Sequence, residues 1–129
     1  MKLGYVISYV DDVEITMAFY EKAFQLAPAF LHESKTYGEL DTGFTKLAFC
    51  SKELAKSNGV DFVENSLDTQ PPGIEIALVC DDVESAFKLA CDAGAVSVKN
   101  PSKKPWGQTV AYVRDINGVL VELCTPVGS

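Results

Sequence analysis

Residues 81–84 read Asp81-Asp82-Val83-Glu84, and residues 11–14 read Asp11-Asp12-Val13-Glu14. The match carries its surroundings with it. Leu3–Val10 alternates like a strand ahead of the first copy, with Tyr5, Ile7 and Tyr9 on one face and Val6, Ser8 and Val10 on the other. Ile74–Cys80 does the same ahead of the second, with Ile74, Ile76 and Leu78 opposing Glu75, Ala77 and Val79. Each tetrapeptide reads as a helix start: an Asp caps the first turn, and Glu14 stands three after Asp11 as in a capping box. Apolar stripes at helical spacing follow, Val13, Met17, Tyr20 and Phe24 in one case and Val83, Ala86, Phe87 and Ala90 in the other. The first helix is expected to end near Gln25, ahead of Pro28, and the second at Gly94, a natural C-cap residue. A strand–helix pair that recurs in residues and in pattern is an internal repeat, and the repeat decides the fold.

Beyond each helix the chain turns to short strands. In the first half they are expected at about Ala29–Glu33, Thr36–Leu40 and Thr45–Cys50, separated by Ser34-Lys35 and Asp41-Thr42-Gly43. In the second half a strand near Val96–Lys99 precedes a terminal hairpin, Trp106–Cys124, whose two apolar runs flank Asp115-Ile116-Asn117-Gly118. Asp at the first turn position and Gly at the fourth suit a tight turn. The last strand puts Val119, Val121 and Leu123 on one face and Leu120, Glu122 and Cys124 on the other. Between the halves, Ser51–Gly73 holds a helical turn at Lys52–Lys56, then Asn58-Gly59, and closes on Pro71-Pro72-Gly73. The expectation is a single α+β domain over residues 1–129, with a βαβββ module at 1–50, a connector at 51–73 and a second βαβββ module at 74–126.

The totals narrow the function. A chain of 129 residues that is 47% hydrophobic has ample core material for one compact domain or two halves sharing a core. No apolar run is long enough to span a bilayer, so no membrane role is expected. Met1-Lys2-Leu3-Gly4 lacks the pattern of a secretory signal, and a cytoplasmic location is expected. Eighteen acidic against eleven basic residues leave a net charge of −7, with no basic patch evident; this argues against nucleic acid and fits a neutral or cationic ligand. Cys50, Cys80, Cys91 and Cys124 show no CxxC spacing and read as reduced core thiols. His32 is the one histidine, which weakens any His-rich metal site or Ser-His-Asp triad.

The repeat also points to a face. Aligning the Asp-Asp-Val-Glu elements places Tyr5 over Glu75, and aligning Leu47-Ala48-Phe49-Cys50 with Val121-Glu122-Leu123-Cys124 places Ala48 over Glu122. If the helices pack on the Val6/Val10 and Ile74/Ile76/Leu78 faces, Tyr5, Ala48, Glu75 and Glu122 point to the opposite, concave side. A lone carboxylate such as Glu122 among hydrophobes is costly to bury, so it reaches solvent or a partner.

Tyr9-Val10-Asp11-Asp12 with Phe19-Tyr20, the second Asp-Asp-Val-Glu, and Trp106-Gly107-Gln108-Thr109 leading to Arg114-Asp115-Ile116-Asn117-Gly118 and Val121-Glu122-Leu123 resemble the vicinal-oxygen-chelate superfamily of glyoxalase, bleomycin-resistance and dioxygenase proteins. The resemblance covers nearly the whole chain. It implies the glyoxalase/bleomycin-resistance fold, in which two βαβββ modules form a U-shaped mixed sheet around a cavity, and a homodimer. In metal-dependent members four cavity-facing positions carry His or Glu ligands to a divalent metal, and these match Tyr5, Ala48, Glu75 and Glu122. Only Glu75 and Glu122 offer carboxylates, Tyr5 stands where His is usual, and Ala48 has no donor. The turn carries Ile116 where Pro is usual.

Two readings follow. Glu75 and Glu122 serve as oxygen ligands to a divalent metal in a lyase or isomerase of the glyoxalase type, with further donors unidentified. Otherwise they are polar groups of a binding site, hydrogen-bonded to Tyr5 or water. Tyr5, Tyr37, Trp106 and Tyr112 can wall a planar or cationic ligand or simply pack. Cys50 and Cys124, two residues beyond Ala48 and Glu122, read as apolar filling, and His32 as an edge residue. An interaction module without a small ligand is a third class, supported only by the incomplete site. The expectation is a binding protein without a metal cofactor, of the kind that sequesters an antibiotic or other small molecule, with Tyr5, Tyr37, Ala48, Glu75, Trp106, Tyr112 and Glu122 lining the site.

Overall fold

The computed structural model describes residues 1–128. In chain order the elements are β1 (Tyr5–Val10), α1 (Val13–Phe24), β2 (Pro28–Leu31), β3 (Tyr37–Leu40), β4 (Lys46–Ser51), α2 (Lys52–Ser57), β5 (Glu75–Val79), α3 (Val83–Asp92), β6 (Val96–Lys103), β7 (Thr109–Arg114) and β8 (Leu120–Cys124). They form two four-stranded mixed sheets, ordered β1-β4-β3-β2 and β5-β8-β7-β6. In each, the first strand runs parallel to the last strand of its module, and the remaining pairs are antiparallel. The chain divides into two compact units, Met1–Glu64 and the part from Asn65 onward. The α+β fold and the βαβββ repeat expected from the sequence are therefore observed. Among the described residues no helix is long and apolar enough to cross a membrane.

Local chemistry starts the helices, but at the second aspartate rather than the first. Asp12 caps α1 by accepting from the Ile15 amide at 2.9 Å, and Asp82 caps α3 by accepting from the Ser85 amide at 3.1 Å. The strand holds the chain extended as far as Val10, so Glu14 falls one position early for a capping box and instead meets Lys35 at 3.6 Å. Gln25 ends α1 in a left-handed conformation. Pro28 does more than stop the helix; it opens β2, a strand-start position that needs no amide donor.

Each helix lays its apolar stripe on one sheet face. In the first unit Val13, Met17, Tyr20 and Ala23 are buried with Leu40, Leu47 and Phe49, and the Tyr20 and Phe49 ring centroids are 4.9 Å apart. Burying each of the Val, Met, Leu and Phe side chains among these contributes roughly 1.5–3 kcal/mol. Gly38 lets α1 approach β3, because a Cβ there would collide with Met17 Sδ. In the second unit Val83 and Ala90 of α3 are buried, as are Val113, Val121 and Leu123 of the sheet. The β7–β8 turn is closed by Gly118 N–H donating to the Asp115 carbonyl at 3.0 Å. Asp115 Oδ1 also accepts from the Asn117 and Val119 amides at 2.8 and 2.9 Å. Ile116 leaves the turn intact.

Three spans differ from the sequence reading. β6 continues to Lys103, well past Lys99. Trp106 lies in the β6–β7 turn rather than on a strand, and β2 ends at Leu31, short of Glu33.

Candidate functional site

Directly opposed residues in a ladder share a face, so the registers define the faces away from the helices. In the first unit Ile7 and Glu39 both oppose Ala48, Tyr9 and Tyr37 both oppose Cys50, and Phe30 opposes Glu39. Tyr5 lies on the same face two residues before Ile7, near enough for its phenol to act on that of Tyr37. This face is aromatic and open, with Tyr5 56% and Phe30 47% exposed. Ala48, in contrast, is fully buried and offers no donor. The one carboxylate is Glu39, whose Oε2 accepts from the Tyr37 hydroxyl at 2.8 Å. Burial and that hydrogen bond push the Tyr37 phenol above its ordinary range. His32 sits at the exposed hairpin tip, where its Nδ1 lies 2.7 Å from Ser34 Oγ.

The second unit brings Glu75, Tyr112 and Glu122 together. Ala77 and Tyr112 both oppose Glu122, and Glu75 stands two residues before Ala77, diagonal to Glu122. The Tyr112 hydroxyl donates to Glu122 Oε1 at 2.9 Å. Glu75 is raised above the usual carboxylate range, first by burial, then by the charge of Glu122 and a hydrogen bond shared with it. The Tyr112 phenol is pushed up to about 12 by its bond to Glu122 and by burial. The Cys124 thiol is pushed up to about 11 by burial and by Glu122, which keeps it a neutral, unreactive thiol. Burial likewise raises Cys50.

A divalent metal does not fit these residues. Glu122 already accepts from Tyr112, Tyr5 offers only a phenol, and Ala48 has nothing to coordinate with. Among the described residues no three His, Cys, Asp or Glu side chains gather as a ligand set.

Two further features lie apart from these faces. A polar cleft of about 290 Å³ is lined by Asp11, Asp12, Glu14, Lys35, Lys52 and Glu53, and its charges are largely internally paired, with Lys52 Nζ 3.0 Å from Asp11 and 3.3 Å from Glu64. Trp106 is 61% exposed, and its indole N–H donates to Gln108 Oε1 at 2.6 Å. Sequence reasoning missed Glu39 and Gln108. Alternation with Tyr37 would have placed Glu39 on the open face, whereas Gln108 carries no signal until its partners are known.

No curated protein matches the chain. Among solved structures, a glyoxalase-related enzyme from Fulvimarina pelagi superposes with a TM-score of 0.83 at 18% identity, covering 98% of this chain and 88% of that one. A glyoxalase/bleomycin resistance protein/dioxygenase family enzyme from Burkholderia phytofirmans gives 0.79 at 20% identity, covering 97% and 98%. A superfamily member from Sphaerobacter thermophilus gives 0.72 at 19%, covering 98% of both chains. These likenesses speak to the fold. The sequence model of the glyoxalase-like domain matches residues 3–128, and the chain thus belongs to that family, within the vicinal-oxygen-chelate superfamily.

Proposed function

We propose that this chain binds a small aromatic or cationic molecule without a metal cofactor, as a cytoplasmic homodimer. The observation that carries the reading is the pairing of Glu75 with a Tyr112-held Glu122 on one sheet, while the remaining ligand positions are a phenol and a buried alanine. A cation relieves the repulsion between two neighbouring carboxylates, and open aromatic faces suit a planar ring. Open four-stranded sheets leave edge strands for a second copy to cover.

The test uses the purified full chain. Elemental analysis is expected to find no stoichiometric Zn, Ni, Fe or Mn, and 1-methylquinolinium is expected to raise the melting temperature less in Glu75→Gln than in wild type. About one metal per chain, lost on Glu122→Ala, would overturn the reading in favour of a metal-dependent lyase or isomerase. Light scattering is expected to give twice the single-chain mass, and a single-chain mass would remove the dimer.

A further inference from the structure

We propose that the β6–β7 turn is a binding site for planar anions, meaning a ring that carries a sulfonate, carboxylate or phosphate. The turn lies apart from the carboxylate-bearing faces, and its ligand is separate from the one proposed for them.

Two independent observations support it. The first is a rigid exposed ring. Trp106 is 61% exposed, yet its indole N–H is fixed by Gln108 Oε1 at 2.6 Å. Gln108 is itself buried, and its Nε2 donates to the Thr125 carbonyl at 2.7 Å. The turn backbone closes around it, with Lys104 N–H donating to the Gln108 carbonyl at 2.7 Å and Gly107 N–H to the Lys104 carbonyl at 2.9 Å. An exposed indole gains little for folding from being held still. A preformed stacking surface loses less entropy when a ring lands on it.

The second is charge. Residues 93–114 contain no Asp or Glu but carry Lys99, Lys103, Lys104 and Arg114, four of the eleven basic residues in a chain of net charge −7. The sequence total concealed this local excess. Arg114 is engaged by carbonyl oxygens of Ser66, Thr69 and Gly118. Lys35, Lys46, Lys52, Lys56 and Lys88 meet carboxylates, whereas among the described residues Lys103 and Lys104 form no ion pair. Protection of an edge strand explains Lys99 and Pro101. Lys103 is the last residue of that strand and Lys104 the first beyond it, two residues before the pinned tryptophan, so edge protection leaves Lys104 unexplained. The net negative charge disfavours a long polyanion, so the fitting partner is a small molecule with one anionic group.

Trp106 is the only tryptophan, so its single indole N–H resonance reports on this turn in the intact protein. It is followed while adding 2-naphthalenesulfonate, 2-naphthylmethanol or 2-naphthylmethylammonium. Two exposed charge contacts support about a tenfold preference for the sulfonate over the neutral ring at low salt. The Lys103→Gln/Lys104→Gln variant, whose surface changes spare the core, is expected to lose that preference while keeping neutral-ring binding. Gln108→Leu, which frees the indole, is expected to weaken all three. Equal affinities, or a preference that survives the lysine changes, would overturn the proposal. Glu75→Gln is expected to leave the sulfonate titration unchanged. Failure of the wild-type chain to bind the ammonium while it still binds the sulfonate would therefore count against the carboxylate reading and leave this site standing.

Discussion

Replacing Glu75 by Gln tests the carboxylate pair where its physics is simplest. Glu75 lies diagonal to Glu122 across β5 and β8, and Tyr112 fixes Glu122 by a 2.9 Å hydrogen bond. Partial desolvation of the otherwise exposed Glu75 side chain and the Glu122 charge raise its folded-state pKa. A group so raised contributes stability that is fully present below its unfolded value of about 4.3 and is lost as pH rises through the folded value. Wild type therefore loses stability over that window, and Glu75→Gln, with no proton to lose, does not. Two unit charges about 4 Å apart in water repel by about 1 kcal/mol, which is the ceiling here because Glu75 is largely exposed and solvent screens the pair. For a chain of this size that ceiling corresponds to a melting-temperature gain of about 3–4 °C. Melting both proteins from about pH 4 to about pH 8 should show curves that coincide at the acid end and separate above it, with the variant higher. A difference that does not change with pH would mean that the two carboxyl groups are solvated independently.

Gly118→Ala should destabilise strongly. A Cβ there would meet the Ser66 carbonyl oxygen at 2.5 Å with φ at +93°, and the left-handed conformation alone costs about 1–2 kcal/mol, so thermal melting should show a loss of about 3 kcal/mol or more. Arg114→Lys replaces a fork that holds the Ser66, Thr69 and Gly118 carbonyl oxygens with a single ammonium. It should cost about 1–3 kcal/mol and increase proteolytic nicking between residues 65 and 73, read by mass spectrometry. Ala48→Glu, which restores a carboxylate at the missing ligand position, should destabilise by about 2–4 kcal/mol, because Ala48 is fully buried and directly opposes Glu39. Glu39→Gln in the same chain should recover part of that loss in a denaturant melt.

α1 and α3 could be read from a helical apolar period, and the duplicated Asp-Asp-Val-Glu marks both helix starts. β1 and β5 could be read from their apolar, β-branched runs and their place in the repeat, although neither strand has a buried face. The cap itself is ambiguous between two adjacent aspartates until the strand end is known. β6 was cut short because its residues are almost all exposed, so no burial pattern distinguishes Val96–Lys99 from the polar continuation to Lys103. The continuation includes Pro101, which an edge strand tolerates. Trp106 could not be placed because its hold comes from Gln108, which is tied in turn to Thr125.

The candidate site was half legible for a reason that lies in the repeat itself. Aligning β4 with β8 correctly set Ala48 over Glu122, but the partner strands were never aligned. Glu39 opposes Ala48 as Tyr112 opposes Glu122, so β3 carries an acid where β7 carries a phenol. The first module's phenol, Tyr37, sits two residues away on the same strand and donates to that acid at 2.8 Å, as Tyr112 donates across strands to Glu122 at 2.9 Å. Each sheet thus keeps one phenol–carboxylate hydrogen bond, and in the first the carboxylate has moved over by one strand. Ala48 is the small residue that accommodates the move, since a second acid opposite Glu39 would meet it at close range. Comparison by ligand position alone registers a missing donor on the first sheet. Comparison by face finds an acid held by a phenol on both sheets, with a lysine on each face as well, Lys46 opposite Tyr5 and Lys99 opposite Tyr112.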